Sequence, residues 1–207
     1  LYAQHHHRLH ALTIIFPTWR AGEVFKQCLA THLSQPTWAP KVLSIEALMQ
    51  QLSPLRQARP LLLTHILYQT FQALQPQEEP FEQFYFWGNL LLQDLDVIDK
   101  YLVNASHLFA DLSQYKALGL YHDYLTEAQQ TAIQSFWKNF QQRLSTHQQD
   151  FLHLWKLLPQ VYQHFKQRLQ DQGIGYQGLC HRAAYEALVQ GTAQPQHDQL
   201  VFAGFNA

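Results

Sequence analysis

The sequence predicts a mainly α-helical chain built on a small parallel α/β platform, with a large all-helical insertion between the platform's second and third strands. Three observations predict it. Residues 1–53 alternate short strand-like runs with helical patterns, strand, helix, strand, helix, and that order implies a parallel sheet. From Pro54 to about residue 190 every apolar pattern has the helical period. The run QLVFA, Gln199 to Ala203, then returns to a strand. The platform is expected from residues 1–53 and 191–207, and the insertion from residues 54–190.

Residues 11–16, ALTIIF, form an apolar run rich in β-branched residues that stops at Pro17, the pattern of a buried strand. In TWRAGEVFKQCLATHL, Val24, Phe25, Cys28, Leu29 and Leu33 recur at helical spacing. Trp38, Ala39 and Pro40 mark a loop. In KVLSIEALMQQL, Val42 and Leu43 fit a second strand, Ser44 an N-cap, and Ile45, Leu48, Met49 and Leu52 one apolar helix face.

Helices are expected over 60–75, 81–103, 106–117, 126–145, 147–172 and 177–190. The longest unbroken pattern is 81–103, with Phe84, Trp87, Gly88, Leu91, Leu95, Ile98 and Leu102 on one face. Ile133, Phe136, Trp137, Phe140 and Leu144 share a face in 126–145, where Thr126 and Gln129 have the form of a capping box. In 147–172 the face is Phe151, Leu154, Trp155, Leu158, Tyr162, Phe165 and Leu169. Pro159 is expected to kink or split that helix, because it lacks an N–H donor and its ring clashes with the preceding turn.

With 47% hydrophobic and 14% aromatic residues among 207, the chain has enough apolar side chain for a substantial core. Only 14% are charged, against roughly 25% in an average protein. Glutamine, at 30 residues, supplies much of the polar surface instead. Cys28 and Cys180 are the only cysteines, so no disulfide framework is expected and a reduced, cytoplasmic setting is. No apolar run reaches the 18 or so residues that span a bilayer, so no membrane partner is expected. Charge is uneven. Residues 1–59 hold six basic residues against Glu23 and Glu46, whereas residues 78–127 hold nine acids against Lys100 and Lys116. A basic beginning suits a polyanion without by itself arguing for one. A sheet strand with no element after it reads as part of a longer protein.

Several motifs are missing. No glycine precedes a lysine, so the phosphate-cradling G-x-x-x-x-G-K-[ST] loop is absent, and no acid stands two residues before a lysine, so the [DE]-x-K half of a metal-dependent nuclease centre is absent too. GIGYQG, with Gly173, Gly175 and Gly178, follows a helix where a dinucleotide fingerprint needs a strand, and reads as a helix end and loop. Asp94, Asp96 and Asp99 read as a solvated acidic face, and His5, His6, His7 and His10 as a surface histidine run. No G-x-S-x-G elbow marks a nucleophile. Neither catalytic residues, a cofactor nor a metal is expected within this stretch.

What remains is the turn after the first strand. In open parallel sheets ligands bind beyond the carboxyl ends of strands. There Arg20 has donors for phosphate, Thr18 a hydroxyl and Trp19 a surface on which a base can stack. The plainer reading packs Trp19 into the domain and leaves Arg20 solvated. Lys41 and Ser44 are expected as weaker neighbours at the end of the second strand.

Four segments in order, FPTWRAGEVFKQCLA, WAPKVLSIEALMQQLS, FYFWGNLLLQDLDVIDKYL and LVFAGFNA, resemble the N-terminal part of AddB-like helicase/exonuclease subunits of exodeoxyribonuclease V type, which carry a C-terminal PD-(D/E)XK nuclease domain. The resemblance implies that the platform is part of a RecA-like first helicase domain (1A-like) and the insertion its 1B-like subdomain. It also implies a DNA-repair role in which residues 17–21 touch single-stranded or end-processed DNA, with a helicase partner subunit. Gly204 and Phe205 match the Gly-Phe after the Walker B strand, but Ala203 stands where an acid would hold magnesium, so a degenerate motor is implied. The expected function is non-catalytic DNA handling; the alternative is a helical module that docks a partner subunit.

Overall fold

The computed structural model describes residues 9–33, 36–75, 79–105, 107–109, 148–195 and 199–205, the side chains of 148–156 aside. The chain divides into two compact units, Leu1–Gln57 with Gly173–Ala207, and Ala58–Gln172. The architecture is mainly helical, with a small parallel sheet, as the patterning predicts.

In the first unit, a single 3-10 turn over Leu9–Ala11 leads into β1 (Leu12–Phe16), followed by α1 (Trp19–His32), β2 (Lys41–Ser44) and α2 (Ile45–Leu52). After β3 (Arg56–Gln57) the chain leaves the unit, and it returns through β4 (Ile174–Gly175), α6 (Gln177–Val189) and β5 (Gln199–Phe202). The sheet order is β2-β1-β5, all parallel, with Ile15 opposite Leu43 on one side and Phe202 on the other. All five residues of β1 are buried, which is why its apolar run is continuous instead of alternating.

Helices cover both faces of this sheet. Ile15, Leu48, Leu52 and Ala184 form a core cluster, with Leu43, Ile45, Met49 and Leu200 packed on it, so α2 and α6 share one face. On the other face α1 approaches closely enough that a Cβ on Gly22 would stand 2.7 Å from Val42 Cγ1. Phe16 and Phe25 meet there at 5.3 Å between ring centroids.

Two expectations change here. The helix at 177–189 belongs to the platform and not to the insertion, because Ala184 is part of the platform's core. The unit boundaries fall at 57/58 and 172/173 in place of 53/54 and 190/191. They coincide with β3 and β4, which pair in parallel, Arg56 with Ile174 and Gln57 with Gly175. Two residues are too few for a period, so neither strand is readable from patterning. Gly173, at φ +65°, makes the turn into β4 that a residue with a Cβ resists.

The second unit contains α3 (Pro60–Leu74), α4 (Phe81–Lys100) and α5 (Gln148–Asp171). The helices expected at 106–117 and 126–145, and the capping box at Thr126, lie outside the described residues apart from the helical residues 107–109. Between α3 and α4 the core is aromatic. Phe84 stands 5.1 Å from Tyr68, 5.5 Å from Phe71 and 4.3 Å from Trp87, centroid to centroid. Its ring lies over Gly88, where a Cβ would come within 2.4 Å of it. The polar atoms inside are satisfied: Trp87 Nε1 donates to the Glu79 carboxylate at 3.1 Å, and the Tyr68 hydroxyl donates to the Glu79 carbonyl at 3.0 Å.

The acidic face of α4 is not wholly in water. Asp99 is 0% exposed and accepts a hydrogen bond from the Tyr162 hydroxyl of α5 at 2.6 Å. Its place follows from geometry, since it lies one turn beyond Leu95 and next to Ile98, both buried. Asp94 is exposed on the helix surface, yet the protein around it raises its carboxyl from 3.8 to about 6. Pro159 does not split α5, which runs through it from Gln148 to Asp171. The buried Leu158, Val161, Tyr162, Phe165 and Leu169 hold the helix on either side of that lost donor.

Candidate functional site

Parallel strands present their carboxyl ends along one edge, and here that edge is built by three turns. The first follows β1. Thr18 has extended backbone and caps α1, its Oγ1 accepting from the Ala21 N–H at 3.3 Å. The cap starts the helix at once, so Trp19 and Arg20 occupy its first turn with their side chains in solvent. Trp19 is 70% exposed, which excludes the reading that packs it into the domain. Arg20 is exposed and has no ion pair among the described residues, while the nearest acid in its helix, Glu23, is taken by Lys26 at 2.7 Å.

The second turn follows β2. Ser44 lies opposite Phe16 in the register and so reaches the same edge. Its hydroxyl oxygen accepts from the Ala47 N–H at 3.1 Å and caps α2. Lys41 is elsewhere. It opens β2 opposite Thr13, three residues from Ser44 and therefore about 10 Å away, toward the amino edge. Lys41 was grouped with Ser44 at the end of the strand, although it precedes Val42 in the chain. The observed strand starts at Lys41, and the parallel register separates the two residues.

The third turn follows β5, and patterning alone does not show its importance. The Ala203 N–H donates to the Ile15 carbonyl at 2.9 Å, carrying the pairing one residue beyond the strand. Gly204 has φ +75°, and a Cβ there would stand 3.7 Å from the Phe16 and Pro17 side chains. The turn after β5 thus lies beside the turn after β1. Phe202 is 57% exposed and Phe205 44%, with their centroids 6.0 Å apart in a T-shaped pair. Read only as a strand, QLVFA gave no sign of Phe202's exposure. The signal that marks it is its place at the last ladder position, beyond the reach of the covering helices.

The chain order explains why these turns converge. From β1 the chain crosses to β2 on one side, whereas β5 pairs on the other. The turns after β1 and β5 are therefore neighbours at the carboxyl edge, the end of an open parallel sheet beyond which ligands generally bind. The edge offers an exposed guanidinium, hydroxyls already used as caps, and three exposed aromatic rings. No carboxylate stands at Ala203, and among the described residues no group of three or more His, Cys, Asp or Glu could hold a metal ion. Cys28 and Cys180 form no disulfide. Among the described residues no helix is long and apolar enough to cross a membrane. No family model, curated protein or solved structure matches the chain.

Proposed function

We propose that the first unit handles single-stranded or end-processed DNA at the carboxyl edge of its sheet, as a non-catalytic region of a helicase/nuclease-type repair protein working with a helicase partner in the cytoplasm. One observation carries this reading: Trp19, an exposed ring, and Arg20, an exposed cation with no ion pair among the described residues, occupy consecutive positions directly after the central strand. A stacking surface beside a phosphate donor is the minimal equipment for a sequence-independent single strand. The ordered resemblance to AddB-like subunits supplies the class of process, and the absence of both a Lys-bearing phosphate loop and an acid at Ala203 supports a role without ATP chemistry.

Charge favours the same unit. It carries six basic residues against four acids, a formal +2, whereas the second unit carries eight against eleven, −3, consistent with the chain's −1. Contact with few phosphates gives weak binding that falls with salt. Fluorescence anisotropy of a labelled single strand should show such binding, and Arg20→Ala should weaken it and reduce the salt slope by roughly 0.7–1. Binding that ignores salt, or that Arg20→Ala leaves unchanged, sinks the reading.

A second reading has its own observation. Phe86, Leu90, Val97 and Tyr101 fall on one exposed stripe in and just beyond α4. Such a stripe suits a helical module that docks a partner subunit, and it concerns the second unit alone.

A further inference from the structure

We infer that the edge binds its strand through the bases, between two aromatic arms: Trp19 on the β1 turn, and Phe202 with Phe205 on the β5 turn. The inference rests on the strand-contact reading and adds the ligand chemistry, single-stranded nucleic acid held by its base faces and not by phosphate alone.

The three rings are exposed at 70%, 57% and 44%, and they follow or end two strands whose carboxyl ends lie side by side, the Ala203 N–H donating to the Ile15 carbonyl. Phe202 and Phe205 brace each other edge to face, so neither ring is a loose surface side chain. Gly204 makes this possible: φ +75° turns the chain between them, a conformation that side chains with a Cβ rarely adopt. The arms approach the edge from opposite sides of the sheet. Phe202 pairs with Ile15 and shares its face, which α2 and α6 cover, while Trp19 opens α1 on the other face. A strand lying across the edge meets a ring on each side and the Arg20 guanidinium beside Trp19. Glu23 is held by Lys26, and Glu46, in the first turn of α2, accepts from Gln177 at 3.3 Å, so the phosphate contact at this edge falls to Arg20. A duplex hides its base faces and gains nothing from these rings, so the arms select unpaired strand.

The test compares fluorescein-labelled oligothymidylate, an abasic phosphodiester of the same length and a duplex, by anisotropy on the full chain. Trp19→Ala and Phe205→Ala should each weaken oligothymidylate binding roughly five- to a hundredfold, leaving abasic affinity and the salt slope unchanged. Trp38→Ala is the control, since Trp38 is 83% exposed but precedes β2 at the other edge; it should change nothing. Phe205→Leu keeps apolar bulk without a stacking face, so it should fold as the parent does and still lose affinity. Equal losses on the abasic strand overturn the base-stacking inference. So does oligothymidylate binding that survives both aromatic variants but falls in Arg20→Ala, and in that case the phosphate reading stands. No binding of any strand by the parent chain overturns both. A concentration-dependent dimer in sedimentation velocity that Phe205→Ala abolishes, with strand binding intact, assigns the rings to self-association and also overturns the inference.

Discussion

The two units pack their aromatic side chains differently. In the second unit, Phe71, Phe84 and Trp87 stack within the interface of α3 and α4, and the indole N–H and tyrosine hydroxyl find acceptors on Glu79. In the first, one core cluster is aliphatic, Ile15, Leu48, Leu52 and Ala184, Phe16 packs buried against Phe25 on the other face of the sheet, and three rings stand exposed at the carboxyl edge. A fully buried aromatic or leucine side chain is worth about 1.5–3 kcal/mol, so rings left in solvent forgo a large gain. Placing them beside an exposed arginine, at the carboxyl edge of the sheet, has a binding rationale; placing them there for stability has none. The difference separates a unit organised for packing from one organised around an edge.

That comparison can be broken most forcefully in the second unit. Phe84→Ala removes a ring 1% exposed and leaves a cavity among Tyr68, Phe71 and Trp87, and should cost about 3–5 kcal/mol in urea unfolding. Hydrogen exchange then localises the damage. The largest loss of amide protection should fall in α3 and α4, and an equal loss in β1 would show that the units unfold together.

A smaller effect sharpens the first unit. Gly22→Ala sets a Cβ 2.7 Å from the stiff Val42 side chain, an overlap costing about 1–3 kcal/mol. Alanine's helical advantage over glycine, roughly 0.5–1 kcal/mol, offsets part of this and leaves a net loss. Val42→Ala in the same chain should restore most of it; if it does not, α1 is not seated on β2 through this contact.

The smallest effect is a pH tilt in the second unit. Asp94 has a carboxyl raised to about 6 in the folded chain, above its unfolded value of 3.8. The folded state thus binds the proton more tightly, so the contribution is full below about pH 4 and is lost as pH rises through about 6. Solvent at this exposed position screens it. Asp94→Asn should flatten that part of the stability curve and leave the variant slightly more stable than the parent above about pH 6, read from urea midpoints across the range. A parent curve with no slope there removes Asp94 as a coupled group.

Legibility in the sequence followed local physics. β1, α1, β2, α2 and β5 were readable because a β-branched run ending at Pro17, capping residues at Thr18 and Ser44, and helical spacing are properties of neighbouring residues. Thr18, Trp19 and Arg20 were readable as candidates for the same reason, since they follow the strand directly. Lys41 was misassigned because it was grouped with Ser44 across a strand only a few residues long, whose register places the two at opposite ends. Asp99 was misassigned because an acid beside an apolar stripe is solvated or buried according to what packs over it. Here that is Tyr162, far away in the chain.

By itself the sequence determined the class of fold, the parallel sense of the sheet and the place of the turn that carries Thr18, Trp19 and Arg20, because periodicity, caps and proline act over a few residues. Only the tertiary structure decided the rest. The β2-β1-β5 order brings the turn of Gly204 beside that of Pro17, the core of Ala184 claims α6 for the platform, and the exposure of Trp19, Phe202 and Phe205 singles out one edge. Each of these depends on contacts between residues more than a hundred positions apart, as from Phe16 to Gly204, and burial at that separation is a property of the assembled fold.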